Sequence, residues 1–532
     1  MNIFVVTFLI ILFFNIIRNR RSIKTLQQNQ YNENNRYLVW ILTNTKEVFL
    51  SLDILAIITI FIAYFLDNKL SRLLVTISII FYLLEAIRIL NNKKDNTPKK
   101  FIMTKRVKRL IVTVSIFLML PVIFYIVDRD NILLMILIES IITYLSYIVV
   151  LLANMINVPI ERLINKYNET KAKERLSNVP NLNKIGIIGT SGMTDLKHTL
   201  NEILLSSNKL SKATPRYLST NNGLILTINN IIKNDDEFFI TEINTDNITE
   251  TKKINDILNI KYVILTTTDT TYLENIKNPL TAIKTKFDFI NSLPSDGLAI
   301  LNKDDNRQAA FHFKDNCKKI WVGINNKEAD IYATNIKYDS KGSKFDVVFK
   351  KDNSKYSFET KILGNYNIYN ILSSIALATH FNISIKSLQK AIKSINPLKS
   401  RLGIKDFGYM YQINDFCNPT PTEINVALDV LKEMPGTRIV ITTGLTELPE
   451  KEKTLNHTFG TQIAKVADYV ILLNSKKTKQ IFAGLLETDY NKDKLYVVNN
   501  LKEAYNLLQS INEKNIYALF ENINQDDIMN KE

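Results

Sequence analysis

The sequence predicts a multi-domain protein: an N-terminal α-helical transmembrane bundle followed by two α/β domains, the first P-loop ATPase-like and the second Rossmann-like. Three observations predict it. Apolar stretches crowd the first third of the 532 residues. A strand–loop–helix with the pattern of a phosphate loop opens the remainder at Lys184. After it, short β-branched runs alternate with helical stretches, first to about residue 397 and again from about Leu402, the rhythm of parallel sheets covered by helices.

The apolar stretches are residues 2–17, 48–66, 73–90, 110–127 and 132–154. Several approach the roughly 20 residues that cross a bilayer. The first lacks a basic start and a small-residue cleavage site, so a retained helix is expected and not a signal peptide. Pro121 is expected to kink the fourth. Arg18, Arg20, Arg21 and Lys24 follow the first stretch, and eight Lys and Arg between 93 and 109 follow the third. The second and fourth turns are nearly neutral. By the positive-inside rule the N-terminus lies outside and everything after Asn154 is cytoplasmic, in a multi-pass protein of the cell membrane. Residues 1–183 hold 23 Lys+Arg against 12 Asp+Glu, a net +11 of the chain's +15. The positive charge therefore belongs to the membrane flanks, and no nucleic-acid partner is expected. Among the acids in or near the spans, Asp53, Glu85 and Glu139, the last is the better placed for a functional role.

Cys317 and Cys417 make no disulfide framework. His198, His312, His380 and His457 have no metal-ligand spacing, so no zinc site is expected. Cys417 is expected to be a small buried residue and His457 a structural one. The expected organisation is a membrane domain of about five helices over 1–155, a polar helical connector over 156–183, a central domain over 184–397 and a C-terminal domain over 398–532. Expected strands of the central domain lie at 224–228, 237–243, 262–266, 298–301 and 320–322, with a hairpin at 345–349 and 356–362. Those of the last domain lie at 409–414, 438–442, 469–473, 495–498 and 516–520.

The loop itself is Gly189-Thr190-Ser191-Gly192-Met193-Thr194. Backbone N–H groups at such a helix start cradle phosphates. A lysine normally precedes the threonine and reaches the β/γ-phosphates, but here that position is Met193. The next expected strand, FFITE at 238–242, ends in an acid, Glu242, placed for a metal-ligating carboxylate across from the loop.

Further motifs follow in order: LTTTDTTYLE at 265–274, AIKTKFD at 282–288, DGLAILNKDD at 296–305, GNYNIYN at 364–370, SRLG at 400–403, NDFCNPTPTE at 414–423 and TGLTELPEKEKTLNHTFG at 443–460. This series resembles the Mur ligases, the ATP-dependent amide ligases of cell-wall peptide assembly. It looks nearest to the branch that adds D-alanyl-D-alanine. The resemblance runs from about Lys184 to the C-terminus.

The resemblance implies a mechanism in which ATP phosphorylates a carboxylate and an amine then forms the amide. It implies ATP and Mg²⁺ as cofactors, with the nucleotide held by residues 189–194. It implies Thr194 and Glu242 as metal ligands, and Lys286 as the lysine carbamylated in the family. Asn367, Asn370, Arg401, Asp415 and Asn418 are implied as nucleotide contacts. Four positions depart from the family pattern. Met193 replaces the loop lysine, Tyr272 a metal-ligating histidine and Tyr366 the histidine of the helix start, and Asp195 stands where a neutral residue is usual. Membrane helices also occupy the place of the family's uridine-nucleotide domain. The expected partners are therefore the bilayer, a lipid-linked wall precursor and other wall-synthesis enzymes. Two functions remain open: a membrane-anchored ligase of murein or pseudomurein peptide synthesis, and an inactive scaffold that binds precursor or recruits a true ligase.

Overall fold

The computed structural model describes residues 3–66, 68–91, 101–127, 131–215, 221–243, 245, 248–268, 279–397, 401–415, 421–445 and 452–523. The chain forms two compact units, Met1–Tyr167 and Asn168–Glu532.

The first unit is helical. Among the described residues, four helices are long and apolar enough to cross a membrane: Ile3–Gln28, Lys69–Leu90, Lys105–Val127 and Ser146–Ser177, the last running on past Tyr167. Two expected spans come out differently. The stretch 48–66 yields a helix of only 14 residues, Ser51–Tyr64. The stretch 132–154 is divided at Leu145, between Ile132–Tyr144 and Ser146–Ser177. The division has a polar cause that hydropathy does not register. Arg18 donates to the Tyr144 carbonyl (3.2 Å), so that backbone group serves a side chain of another helix, and Asn15 donates to the Thr143 hydroxyl beside it (2.8 Å).

Two apolar clusters fill this unit. One gathers Phe4, Ile11, Phe14, Ile60, Tyr82 and Ile136, the other Ile23, Leu26, Tyr37, Val114, Tyr147 and Val150. Along helix Ile3–Gln28 the change from one to the other falls over Asn15, Arg18 and Asn19, all buried. Arg18 is ion-paired with buried Asp53 and donates to the Val48 carbonyl at 2.6 Å. Glu139 accepts from Asn15 at 3.0 Å. Burying charges of this kind is tolerable only with such partners. Arg109 closes a fork on Glu161 (2.7 and 2.8 Å), and Thr113 meets Asn157 one turn away, tying the last two long helices together.

The second unit carries two sheets. The first has nine strands: β1 Asn183–Ile188, β2 Ser211–Ala213, β3 Phe238–Glu242, β4 Tyr262–Leu265, β5 Leu298–Asn302, β6 Lys318–Gly323, β7 Ile331–Asp339, β8 Gly342–Phe349 and β9 Ser354–Thr360. Their order is β2-β3-β1-β4-β5-β6-β7-β8-β9, parallel as far as β7 and antiparallel beyond. Strands buried on both faces read as continuous apolar runs, and successive residues alternate between two cores. Ile185, Ile187, Ile240 and Ile264 face one, under helices Met193–Ser206 and Asn365–His380. Ile188, Phe239 and Val263 face the other, against Asn221–Ile231 and Pro279–Asn291.

The second sheet comprises β10 Arg401–Asp406, β11 Met410–Asp415, β12 Thr437–Thr442, β13 Tyr469–Leu473, β14 Leu495–Val498 and β15 Ile516–Glu521. Its order is β10-β11-β15-β12-β13-β14, with only the β10/β11 pair antiparallel.

One expected strand is a helix. Residues 224–228 lie within Asn221–Ile231, where Leu224, Ile225 and Ile228 are buried and Ile232 continues the stripe. A run this short, four apolar residues and Thr227, fits either period, and here the helical spacing prevails. The expected polar connector is the continuation of helix Ser146–Ser177.

Candidate functional site

The chain leaves β1 and builds β2 and β3 on one side of it, then crosses to β4 on the other. The C-terminal end of β1 is therefore the switch point of the sheet, the place where ligands of open parallel sheets bind. The phosphate loop 189–194 sits there, and its helix begins at Met193. Gly192 has φ +78°, and a β-carbon on it would collide with the Tyr366 hydroxyl. A β-carbon on Gly189 would collide with Thr266 Oγ1. Both positions need glycine because other side chains approach the backbone so closely.

The residues after β4 hold the loop. Thr190 donates its amide (2.9 Å) and hydroxyl (3.0 Å) to the Thr267 carbonyl. Thr266 Oγ1 donates to the Ser191 carbonyl at 2.7 Å, and the Ser191 and Thr267 hydroxyls meet at 3.1 Å. Beside them is a cavity of about 20 Å³ bordered by Thr267, Asn302, Tyr366, Tyr369 and Asn370, room for about one water molecule.

The Asp pair of the 296–305 motif is architectural. Asp305 caps helix Asn306–Ala310 and accepts from the Thr268 amide at 2.8 Å. Asp304 accepts from the amides of Ile324, Asn325 and Asn326 and from Tyr369 Oη at 2.7 Å. Burial opposes its charge, but the Ile324 amide, the Tyr369 hydroxyl and the two further amides hold its carboxyl below the usual range.

Several residues singled out from the sequence meet around the loop. Glu242 ends β3 in register with Ile187, just ahead of Gly189. Asn367 and Asn370 are buried on helix Asn365–His380, where Asn367 donates to the Leu363 carbonyl (2.8 Å) and Asn370 to Asn367 Oδ1 (3.3 Å). Tyr366, in the same helix start, donates to Asp195 at 3.3 Å. Asp195 stands in the first turn of its helix, where an acid complements the dipole. Met193 is partly buried and packs on an apolar cluster. Lys286 is 1% exposed on helix Pro279–Asn291. Asp415 ends β11 opposite Arg401 in the second sheet. Asn418, Tyr272 and Cys417 lie outside the described residues.

The sequence reading missed Lys197. One helical turn past Met193, it is buried with its Nζ 2.7 Å from Glu242 Oε1 and 3.4 Å from Thr214 Oγ1. The only signal available was a lysine four residues after the expected one. The pair decides how a metal fits. Glu242 already carries a cation, and among the described residues no group of three or more His, Cys, Asp or Glu is arranged to hold a metal ion. The loop backbone fits phosphates, whereas the carboxylate does not fit a divalent ion.

The model of the Mur ligase middle domain matches residues 187–378. The UDP-N-acetylmuramate–L-alanine ligase of Clostridium botulinum (strain Langeland) is 30% identical over 341 residues, 62% of this chain and 70% of that protein. The chain belongs to the Mur ligase family. The enzyme of the same description from Clostridium acetobutylicum is 31% identical over 259 residues, and there this family member spans 53% of its relative. In fold it is similar to the MurF ligase of Thermotoga maritima solved in complex with ADP, with TM-score 0.57 and 16% identity over 69% of this chain and 82% of that one.

Proposed function

We propose that this Mur ligase family member is a membrane-anchored ligase of murein or pseudomurein peptide synthesis, joining a carboxylate to an amine on a wall precursor at the expense of ATP. The carrying observation is the phosphate loop at the β1 switch point, with a buried cation beside it on the strand-end acid. When bound, ATP supplies the phosphoryl group that activates the carboxylate for attack by the amine. The chain contributes orientation and charge. The helix start at Met193 directs backbone N–H groups toward phosphate oxygens. Thr266 and Thr267 fix the loop so that little reorganisation accompanies binding. Lys197 supplies positive charge that the loop position 193 does not.

The apolar helices of the first unit would hold the ligase at the bilayer, with its α/β part in the cytoplasm, where a lipid-linked precursor is within reach. The motif order is nearest the D-alanyl-D-alanine-adding branch, while the two curated relatives named above add L-alanine. The test is to supply the detergent-solubilised full chain with lipid-linked wall peptide, ATP and either amino donor. ADP release coupled to amide formation supports the reading.

A second reading has its own observation. The Tyr366 hydroxyl abuts Gly192 and Met193 packs against the apolar cluster, which fits a scaffold that keeps the fold and binds precursor without turnover. Precursor binding with no ADP release favours it.

A further inference from the structure

We propose that Lys197 is the built-in cation of this phosphate site: its ammonium occupies Glu242, where a divalent ion would otherwise be held, and the site binds its nucleotide without a divalent metal. The proposal rests on the reading of residues 189–194 as a nucleotide loop.

Spacing gives the first argument. Residues four apart on a helix lie on one face, one turn from each other. Moving the cation from 193 to 197 therefore keeps it on the same side of helix Met193–Ser206 but carries it about 6 Å further from the loop mouth. From there it meets the end of β3, and the contact is made: Nζ lies 2.7 Å from Glu242 Oε1.

Burial gives the second. The Lys197 and Glu242 side chains are 7% and 14% exposed. The ammonium also lies 3.4 Å from the hydroxyl of buried Thr214. A divalent ion arriving at Glu242 would have to expel the ammonium or share the carboxylate with it, placing two cations together where water screens them poorly. The register adds the third argument. Glu242 pairs with Ile187, two residues before Gly189, so a charge held there stands next to the loop.

The test uses the full chain in detergent. ATP affinity is measured by calorimetry in excess EDTA and in excess MgCl₂. Mn²⁺ binding is measured by electron paramagnetic resonance without nucleotide, for wild type, Glu242→Gln, Lys197→Arg and Lys197→Met. The proposal expects wild-type ATP affinity to agree within about two-fold between the two conditions, and Lys197→Met to lose about ten-fold or more in EDTA. It expects no Mn²⁺ site in wild type that Glu242→Gln removes, and expects one to appear in Lys197→Met. Lys197→Arg should retain the wild-type pattern. Magnesium-dependent ATP binding by wild type, or a wild-type Mn²⁺ site lost in Glu242→Gln, overturns the proposal. These wild-type and Glu242→Gln results decide even if Lys197→Met does not fold. Absence of ATP binding in both conditions, with Mn²⁺ excluded from wild type, sinks the nucleotide reading and with it the nucleotide half of the proposal; the assignment of Glu242 to Lys197 then stands alone.

Discussion

Lys197 Nζ and Glu242 Oε1 stand 2.7 Å apart, joining the helix that follows the phosphate loop to the strand beside it. Removing one member of such a buried pair leaves the other uncompensated. Lys197→Met should cost about 3 kcal/mol of stability, and Lys197→Met with Glu242→Gln should recover a large part of it. Denaturant unfolding of the solubilised chain, followed by tryptophan fluorescence, measures both. Equal stability of the two variants would argue against the pair.

Gly192 is the tightest point of the loop. Gly192→Ala places a methyl against the Tyr366 hydroxyl at φ +78°. Left-handed strain alone costs about 1–3 kcal/mol. Adding Tyr366→Ala should relieve the collision but not the strain, so the double variant should unfold between Gly192→Ala and wild type in a thermal scan.

Asp304 predicts an acid-side stability loss. Hydrogen bonds from the 324–326 amides and Tyr369 depress its carboxyl in the folded state. A depressed carboxyl contributes stability that is fully present above the unfolded value, about 3.9, and is lost as pH falls through the lower folded value. Asp304→Asn should flatten the dependence of the melting temperature on pH below about 4. A slope unchanged from wild type would assign it to other carboxylates.

In the helical unit, Arg18 and Asp53 are 2% and 1% exposed as a pair. Arg18→Met should destabilise the solubilised protein by about 3–5 kcal/mol, and Arg18→Met with Asp53→Leu should be far milder. Accessibility on heating of a cysteine introduced at buried Ala56, in a background lacking Cys317 and Cys417, gives the readout. A single variant as stable as wild type would show that the pair has no structural role.

Strands such as 185–188 and 469–473 were legible in the sequence because each is a short apolar run buried on both faces, whereas parallel β2, Ser-Lys-Ala, carries no such signal. Helix Asn221–Ile231 was misread because a run as short as Leu224–Ile228, four apolar residues and Thr227, carries no decisive period. Strand β7 went unrecognised because only Ile331 and Ala333 of its nine residues are buried and its pairing slips between Thr334 and Lys337, where Asn335 takes φ +55°. The break at Leu145 falls beside polar contacts between helices distant in sequence, which no hydropathy window contains. At the site, the loop, Glu242 and the Asn367–Asn370 helix start were visible as motifs. Lys197 was not, since its meaning depends on the β3 register that brings Glu242 beside it.

The most direct test of the central claim is ATP binding to the full chain in detergent, by calorimetry, beside Met193→Lys. The account predicts micromolar binding by wild type, because loop and cation are both in place. Binding by Met193→Lys alone, with wild type folded and silent, would contradict it and show that the site lost its nucleotide with the loop lysine.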